Sequence, residues 1–467
     1  MTAGAIGRLR MPAYLAMTIL MALIALRVGW AVSGQHYKVL GGLLLVPALA
    51  ALGLLGRSVR FKLLLLAAAL TPLQTPSLLP YGLSMSELLL LGLIAVQWTP
   101  AVSRRLSRGL GVLVPLMFFL TLGLLAGYLH GELGASQVVC VTPLLWFLAA
   151  AVFVRSPRDA LRVQVACILS AALYVAIVRL ASALGYGGTV FAVAAGSASR
   201  LGAAGWALDV GPVSVRFWST WLAALVGVAM PGAALFFVRA KGHALARYSW
   251  LAIMALFVYA IVLSAGRGGA LGGAIGIAVA LLTCGRLSPR RVLLASAGLG
   301  VFGMVFQSIL TKAALSVLPG SNLSRIGTLL RFSTDQTGNF QYRVRVLQET
   351  VAGVAEAPFG RGFNYWYSRG VDDPIAYAML LNGVGVLGVL AFGALIAVLA
   401  ATYMRRVAHA TGAARDAIAV ALGTLVAAMV AGGSSHTVWI APVHTFLFWG
   451  ILMSTYWGVV TQARRSD

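Results

Sequence analysis

Charge is scarce in this chain: only 10% of its 467 residues are Asp, Glu, Lys or Arg, and only 11 are acidic. So little charge cannot keep a globule of this length in water, which excludes an ordinary soluble enzyme. Cysteine is nearly absent. Cys140, Cys167 and Cys284 have no C-x-x-C spacing, so no zinc ribbon or dithiol centre is available and the three read as small core residues. There is no Walker A sequence, and no soluble cytoplasmic domain to hold ATP or a nucleotide sugar. The two G-x-G-x-x-G matches, Gly298 to Gly303 and Gly383 to Gly388, lie in apolar runs with no preceding strand, so neither is a dinucleotide site. No cleaved signal peptide is expected either, because the first apolar run lacks a small-residue cleavage site and leads straight into further spans.

What the chain does have is apolar length. It is 60% hydrophobic with a mean hydropathy of +0.92. Apolar runs of about 20 residues, the length that crosses the hydrocarbon core as a helix, recur from end to end. The pattern predicts an all-α polytopic membrane protein with about 12–14 transmembrane helices. The spans fall near 12–33, 39–56, 61–79, 85–99, 109–130, 137–154, 162–184, 214–238, 248–265, 266–284, 292–311, 375–403, 416–432 and 439–460.

The net charge of +24 would indicate nucleic acid in a soluble protein. Here its distribution marks topology. Twenty-two of the 35 basic residues fall in every second connection, among them Arg57/Arg60/Lys62, Arg104/Arg105/Arg108, Arg155/Arg158/Arg162, Arg239/Lys241/Arg247 and Arg405/Arg406/Arg415. By the positive-inside rule these connections and both termini are cytoplasmic, and no nucleic-acid partner is expected.

The other thirteen, including Arg200, Arg216, Arg267, Arg343, Arg345 and Arg361, then lie in outer connections or the outward halves of spans. Eight of the eleven acids share that side, so ion pairing stays open for any one of these arginines. As a group they give an outward-facing excess of cation, which points to an anionic ligand; in a bilayer that is a lipid phosphate or pyrophosphate. Arg267 follows Ser264 at the junction of two spans, and Gly268, Gly272 and Gly276 then recur at a spacing that lets helices approach closely. His436 and His444 bracket a short outer connection without a third ligand and read as interfacial.

Two outer connections are long, about 185–213 and about 312–374. In the second, Phe340, Val344, Leu347, Val351 and Val354 form an apolar stripe at helical spacing. Capping residues precede it in "TDQTGN", and "EAPFGRG" ends it. This predicts an amphipathic helix on the outer membrane face, within a long periplasmic loop. The chain thus divides into N-terminal transmembrane helices (1–184), a core with the periplasmic loop (185–403) and C-terminal transmembrane helices (404–467).

In order, "RLGAAGWALDVGP", "SAGRGGALGGAIGIAVALL", "YRVRVLQETVAGVAEAPFGRGF" and "AYAMLLNGVGVLGVLAFG" resemble the motif set of the O-antigen ligase and O-antigen polymerase superfamily. Arg200 and Arg267 match its arginine-bearing segments. Arg343 lies about fifteen residues before the P-x-G-x-G of Pro358, Gly360 and Gly362, and Gly385 and Gly388 supply the closing G-x-x-G. The family's His-Asn-x-Tyr is altered: Tyr377 matches, but Pro374 and Ile375 replace the histidine and asparagine, with Asp372 and Asp373 just before.

The resemblance implies a membrane-embedded, metal-independent glycosyltransferase of the C type with no cofactor, in the bacterial inner membrane with its active site facing the periplasm. Its donor is an undecaprenyl-pyrophosphate-linked glycan and its acceptor a second glycan or the lipid A core. Membrane lipids and a chain-length co-polymerase are the further partners expected. The leading expectation is a polymerase of O-antigen or exopolysaccharide repeats. The alternatives are an O-antigen ligase and a flippase of lipid-linked sugars. Arg267, with Arg200, Arg216, Arg343 and Arg345, is expected to bind and stabilise the pyrophosphate. Asp373 is the nearest candidate to act as a base on the acceptor, although Asp-Asp-Pro is also an ordinary helix-capping sequence. A cysteine introduced at Ser333 should react with an impermeant thiol reagent on spheroplasts. Labelling only after permeabilisation would reverse the topology.

Overall fold

The computed structural model describes residues 55–69, 85–130, 142–181, 205–210, 213–264, 267–285, 339–362, 376–432 and 442–460. The chain there is helical apart from one hairpin. The helices are α1 (Arg57–Ala69), α2 (Met85–Gln97), α3 (Pro100–Leu106), α4 (Leu110–Leu129), α5 (Thr142–Phe153) and α6 (Pro157–Ala181). Strands β1 (Gly205–Val210) and β2 (Val213–Trp218) then pair antiparallel. After them come α7 (Ser219–Arg239), α8 (Ala244–Ser264), α9 (Arg267–Thr283), α10 (Asn339–Glu356), α11 (Ala376–Val407), α12 (Gly412–Gly432) and α13 (Pro442–Val460).

Among the described residues, six segments are long and apolar enough to cross a membrane: Pro100–Leu129, Pro157–Ile177, Leu222–Arg239, Ala244–Ile261, Tyr377–Val407 and Gly412–Gly432. The expected spans near 12–33, 39–56 and 292–311 lie wholly or almost wholly outside the described residues. One difference is local. Residues 214–218, expected to open a span, are instead strand β2, in which Val213, Val215 and Phe217 supply β-branched and aromatic residues after the helix-breaking Gly211-Pro212.

The centre of the bundle is built on small residues. A Cβ on Gly272 would lie 2.5 Å from the Ala427 carbonyl oxygen, and one on Gly276 would lie 2.6 Å from that of Gly423, so α9 and α12 touch backbone to backbone. On α9's other side, a Cβ on Gly269 would meet the Ala223 carbonyl of α7 at 2.1 Å. In a bilayer, where lipid is as apolar as leucine, this close approach takes over from hydrophobic exclusion as the packing force. Pro231 lies inside α7 at this contact, and the Thr424 hydroxyl of α12 donates to the Val228 carbonyl (3.1 Å), a polar tie between the two helices. By contrast α8 leaves Leu245, Tyr248, Leu251 and Val258 exposed, as a lipid-facing helix would.

A group of arginine and glutamine ties gathers at one end. Arg57 donates to the Phe153 carbonyl (3.3 Å), and Arg105 donates to the carbonyls of Ala151, Val154 and Trp457 while lying over the Trp457 ring. Gln164 donates to the Ala417 carbonyl (2.9 Å) and to Thr455 Oγ1 (2.7 Å), joining this group to the start of α12. There Arg239 pairs with Asp416 and Arg415 donates to the Thr283 carbonyl (2.8 Å). The basic clusters of alternate connections thus share one end of the bundle. Cys284 Sγ also lies there, buried and 3.5 Å from Asp416 Oδ1. It sits as a small core residue.

Candidate functional site

The opposite end collects the segments carrying the expected site residues. The Gly269 and Gly272 contacts put the start of α9, and hence the backbone of Arg267, beside the early part of α7 and the end of α12. The Tyr377 hydroxyl donates to the Met429 carbonyl, which brings the start of α11 to the same end. Val346 of α10 packs against Ala378 and Tyr377, so Arg343, just before it on α10, belongs to this region too. Arg216 sits on β2 opposite Ala207, on the strand that runs into α7. Arg267 is the first residue of α9, where unpaired backbone N–H groups add positive character.

Other expectations fare differently. Arg200, Asp373, Asp372 and His436 lie outside the described residues. Arg345 forms an exposed i,i+4 pair with Glu349 (3.1 Å), which engages it on the helix surface. Glu87 is buried, and its carboxylate accepts from the Thr142 hydroxyl, tying α2 to the start of α5. Asp209 lies on β1 opposite Ser214. The α10 helix falls where the stripe predicted one, yet Val344, Leu347 and Val351 are exposed, and it is Val346 and Thr350 that face the protein.

The Pro358–Gly362 turn and α11 meet in an exchange of backbone hydrogen bonds. Gly385 has φ 66° and ψ −173°, which breaks α11 in its apolar run. In an unbroken helix the Asn382 carbonyl would accept from Val386 N–H. Here it accepts from Arg361 N–H (2.7 Å), the Gly383 carbonyl accepts from Gly362 N–H (2.9 Å), and Val386 N–H donates to the Pro358 carbonyl (3.1 Å). Gly360 and Gly362 also have positive φ, 82° and 94°. No side chain fits: a Cβ on Gly385 would lie 2.2 Å from the Pro358 oxygen, and one on Gly360 would lie 2.5 Å from the Gly383 oxygen. The run "GVGVLG", which reads as uninterrupted helix, is therefore a discontinuity.

That interlock positions a residue that the sequence reading left unassigned. The Arg361 side chain is only 19% exposed and donates to Glu356 Oε2 (2.7 Å). Beside it the buried Asn382 amide donates to Thr350 Oγ1 (3.1 Å), and these residues line a cleft of about 310 Å³ between α10 and α11. The signal lay in the Gly-Arg-Gly run: an arginine between two glycines needed at positive φ has its backbone fixed.

Gly385→Ala imposes a left-handed φ on a residue with a Cβ, at about 1–3 kcal/mol, and drives that Cβ into the Pro358 carbonyl. The expected outcome is a lower melting temperature in detergent and proteolytic nicking within 357–362. Gly393→Ala, where nothing lies within 4 Å of the added carbon, should leave both unchanged. No protein-family model matches this chain, and no curated protein matches it significantly.

Proposed function

We propose that this protein is a glycosyltransferase that polymerises polyprenyl-pyrophosphate-linked oligosaccharide repeats, of O-antigen or exopolysaccharide type, at the periplasmic face of the bacterial inner membrane. The observation that carries this reading is the segregation of charge. The basic clusters expected in the cytoplasm tie together one end of the bundle, whereas the segments bearing Arg216, Arg267 and Arg343 converge at the other. The motif resemblance supplies the reaction class.

Transfer breaks the bond from the donor's anomeric carbon to the pyrophosphate oxygen and forms a bond from that carbon to an acceptor hydroxyl. Negative charge grows on the departing pyrophosphate. Guanidinium groups fixed in a poorly solvated site lower that barrier, and the start of α9 adds its dipole to Arg267. The acceptor proton passes to a base, for which Asp373 is the candidate; Pro374 favours an extended backbone there. In this reading the exposed apolar stripe of α10 rests at the outer lipid interface.

Purified protein given lipid-linked repeats tests the assignment. Arg267→Ala should lower turnover roughly a hundredfold to a thousandfold without loss of folded protein. Arg267→Lys should also be poor, because an ammonium does not reproduce the bidentate fork. Asp373→Asn should cost at least about a hundredfold with donor binding retained. Wild-type polymer length in a folded Arg267→Ala protein contradicts the proposal.

A further inference from the structure

The cleft between α10 and the break in α11 differs in character from the arginine-bearing end. It is lined by Glu349, Glu356 and Arg361 together with Thr350, Gly353 and Asn382. Thr350 and Asn382 are 2% and 7% exposed, so neutral hydrogen-bonding groups form the floor, while the Glu356 side chain at the mouth is 75% exposed. Each carboxylate is matched by one guanidinium, Glu356 by Arg361 and Glu349 by Arg345. Nothing among the described lining residues gives the cleft an excess of positive charge, so it is a poor seat for pyrophosphate. A polyhydroxyl ligand fits better: each sugar hydroxyl both donates and accepts, and the cleft offers carboxylate acceptors, guanidinium donors and an amide with both functions. Its volume is at the small end of ligand pockets.

We infer that this cleft binds an uncharged saccharide unit of the acceptor glycan, at a distance from the reacting hydroxyl; this rests on the transferase reading and extends it. At 1.5 Å of rise per residue, Glu349 and Glu356 lie about 9 and 20 Å along α10 from Arg343. A glycan that reaches the pyrophosphate region with one end therefore lays a later sugar along the helix in the cleft. The interlock of Pro358–Gly362 with Asn382–Val386 fixes the Arg361 backbone against the floor, so the subsite is preformed.

The full-length protein in lipid nanodiscs is titrated with neutral methyl glycosides and disaccharides, read by saturation-transfer NMR, and separately with inorganic pyrophosphate, read by isothermal titration calorimetry. At least one neutral saccharide should bind, and Glu356→Ala, with folding checked by its melting temperature because the change also removes the Arg361 partner, should weaken it about tenfold or more, the loss of one charged hydrogen bond. In the transfer assay the same variant should raise the acceptor KM for long glycans, leave kcat unchanged, and leave KM unchanged for an acceptor too short to reach the cleft. Saccharide binding equal in wild type and Glu356→Ala overturns the inference. So does a cleft that takes pyrophosphate, with that binding lost in Arg361→Lys. Active transfer with an unaltered acceptor KM removes the subsite and spares the transferase reading, whereas saccharide binding without any transfer does the reverse.

Discussion

The exchange of backbone hydrogen bonds between the Pro358–Gly362 turn and the Asn382–Val386 segment is the constraint on which the packing of α10 against α11 depends. Within a bilayer an unpaired peptide group costs several kcal/mol, so a helix breaks at depth only where another segment takes over its bonds. At Gly385 the turn does so in both directions, donating to two orphaned carbonyls and accepting from one orphaned N–H. The contact therefore holds open the break in α11 and anchors the end of α10 through one set of atoms. Glycine at 360 and 385 follows from it, since any Cβ there would overlap a carbonyl.

A second backbone contact does comparable work at the centre. Gly269, Gly272 and Gly276 let α9 lie against α7 and α12 without intervening side chains, which fixes where α9 begins. The position of Arg267 is in this way set by packing further along its own helix. Polar ties from Gln164, Arg239 and Arg415 join these close-packed helices at the far end. Among the described residues the bundle is thus clamped by charge at one end and joined by backbone contacts toward the other, where the candidate site lies.

Much of this was legible in the sequence. Long apolar runs and short basic connections mark membrane helices because the bilayer demands length and rejects charge, and the existence of α10 was legible from its helical period, although the face it turns to the protein, Val346 and Thr350, was not. The break at Gly385 was not, because glycine in an apolar run more often serves close packing, as it does at Gly272 and Gly276. The hairpin was hidden for a related reason: Val213, Val215, Phe217 and Trp218 are as apolar as a helix start, so hydropathy joins them to the following span. Arg361 went unassigned because its role depends on Glu356, Thr350 and Asn382, which come together only once the turn docks on α11. That the segments bearing Arg216, Arg267 and Arg343 share one end of the bundle was not legible, because neither charge asymmetry nor periodicity says which segments converge.

The proposed growth of glycan chains on a lipid carrier at the arginine-bearing end is tested most directly by the lipid-linked glycan profile of a strain lacking this protein. Single repeat units should accumulate on the carrier in the periplasm, and re-expression should restore long chains. Full-length chains on the carrier, or repeat units retained on the cytoplasmic side, would contradict the account.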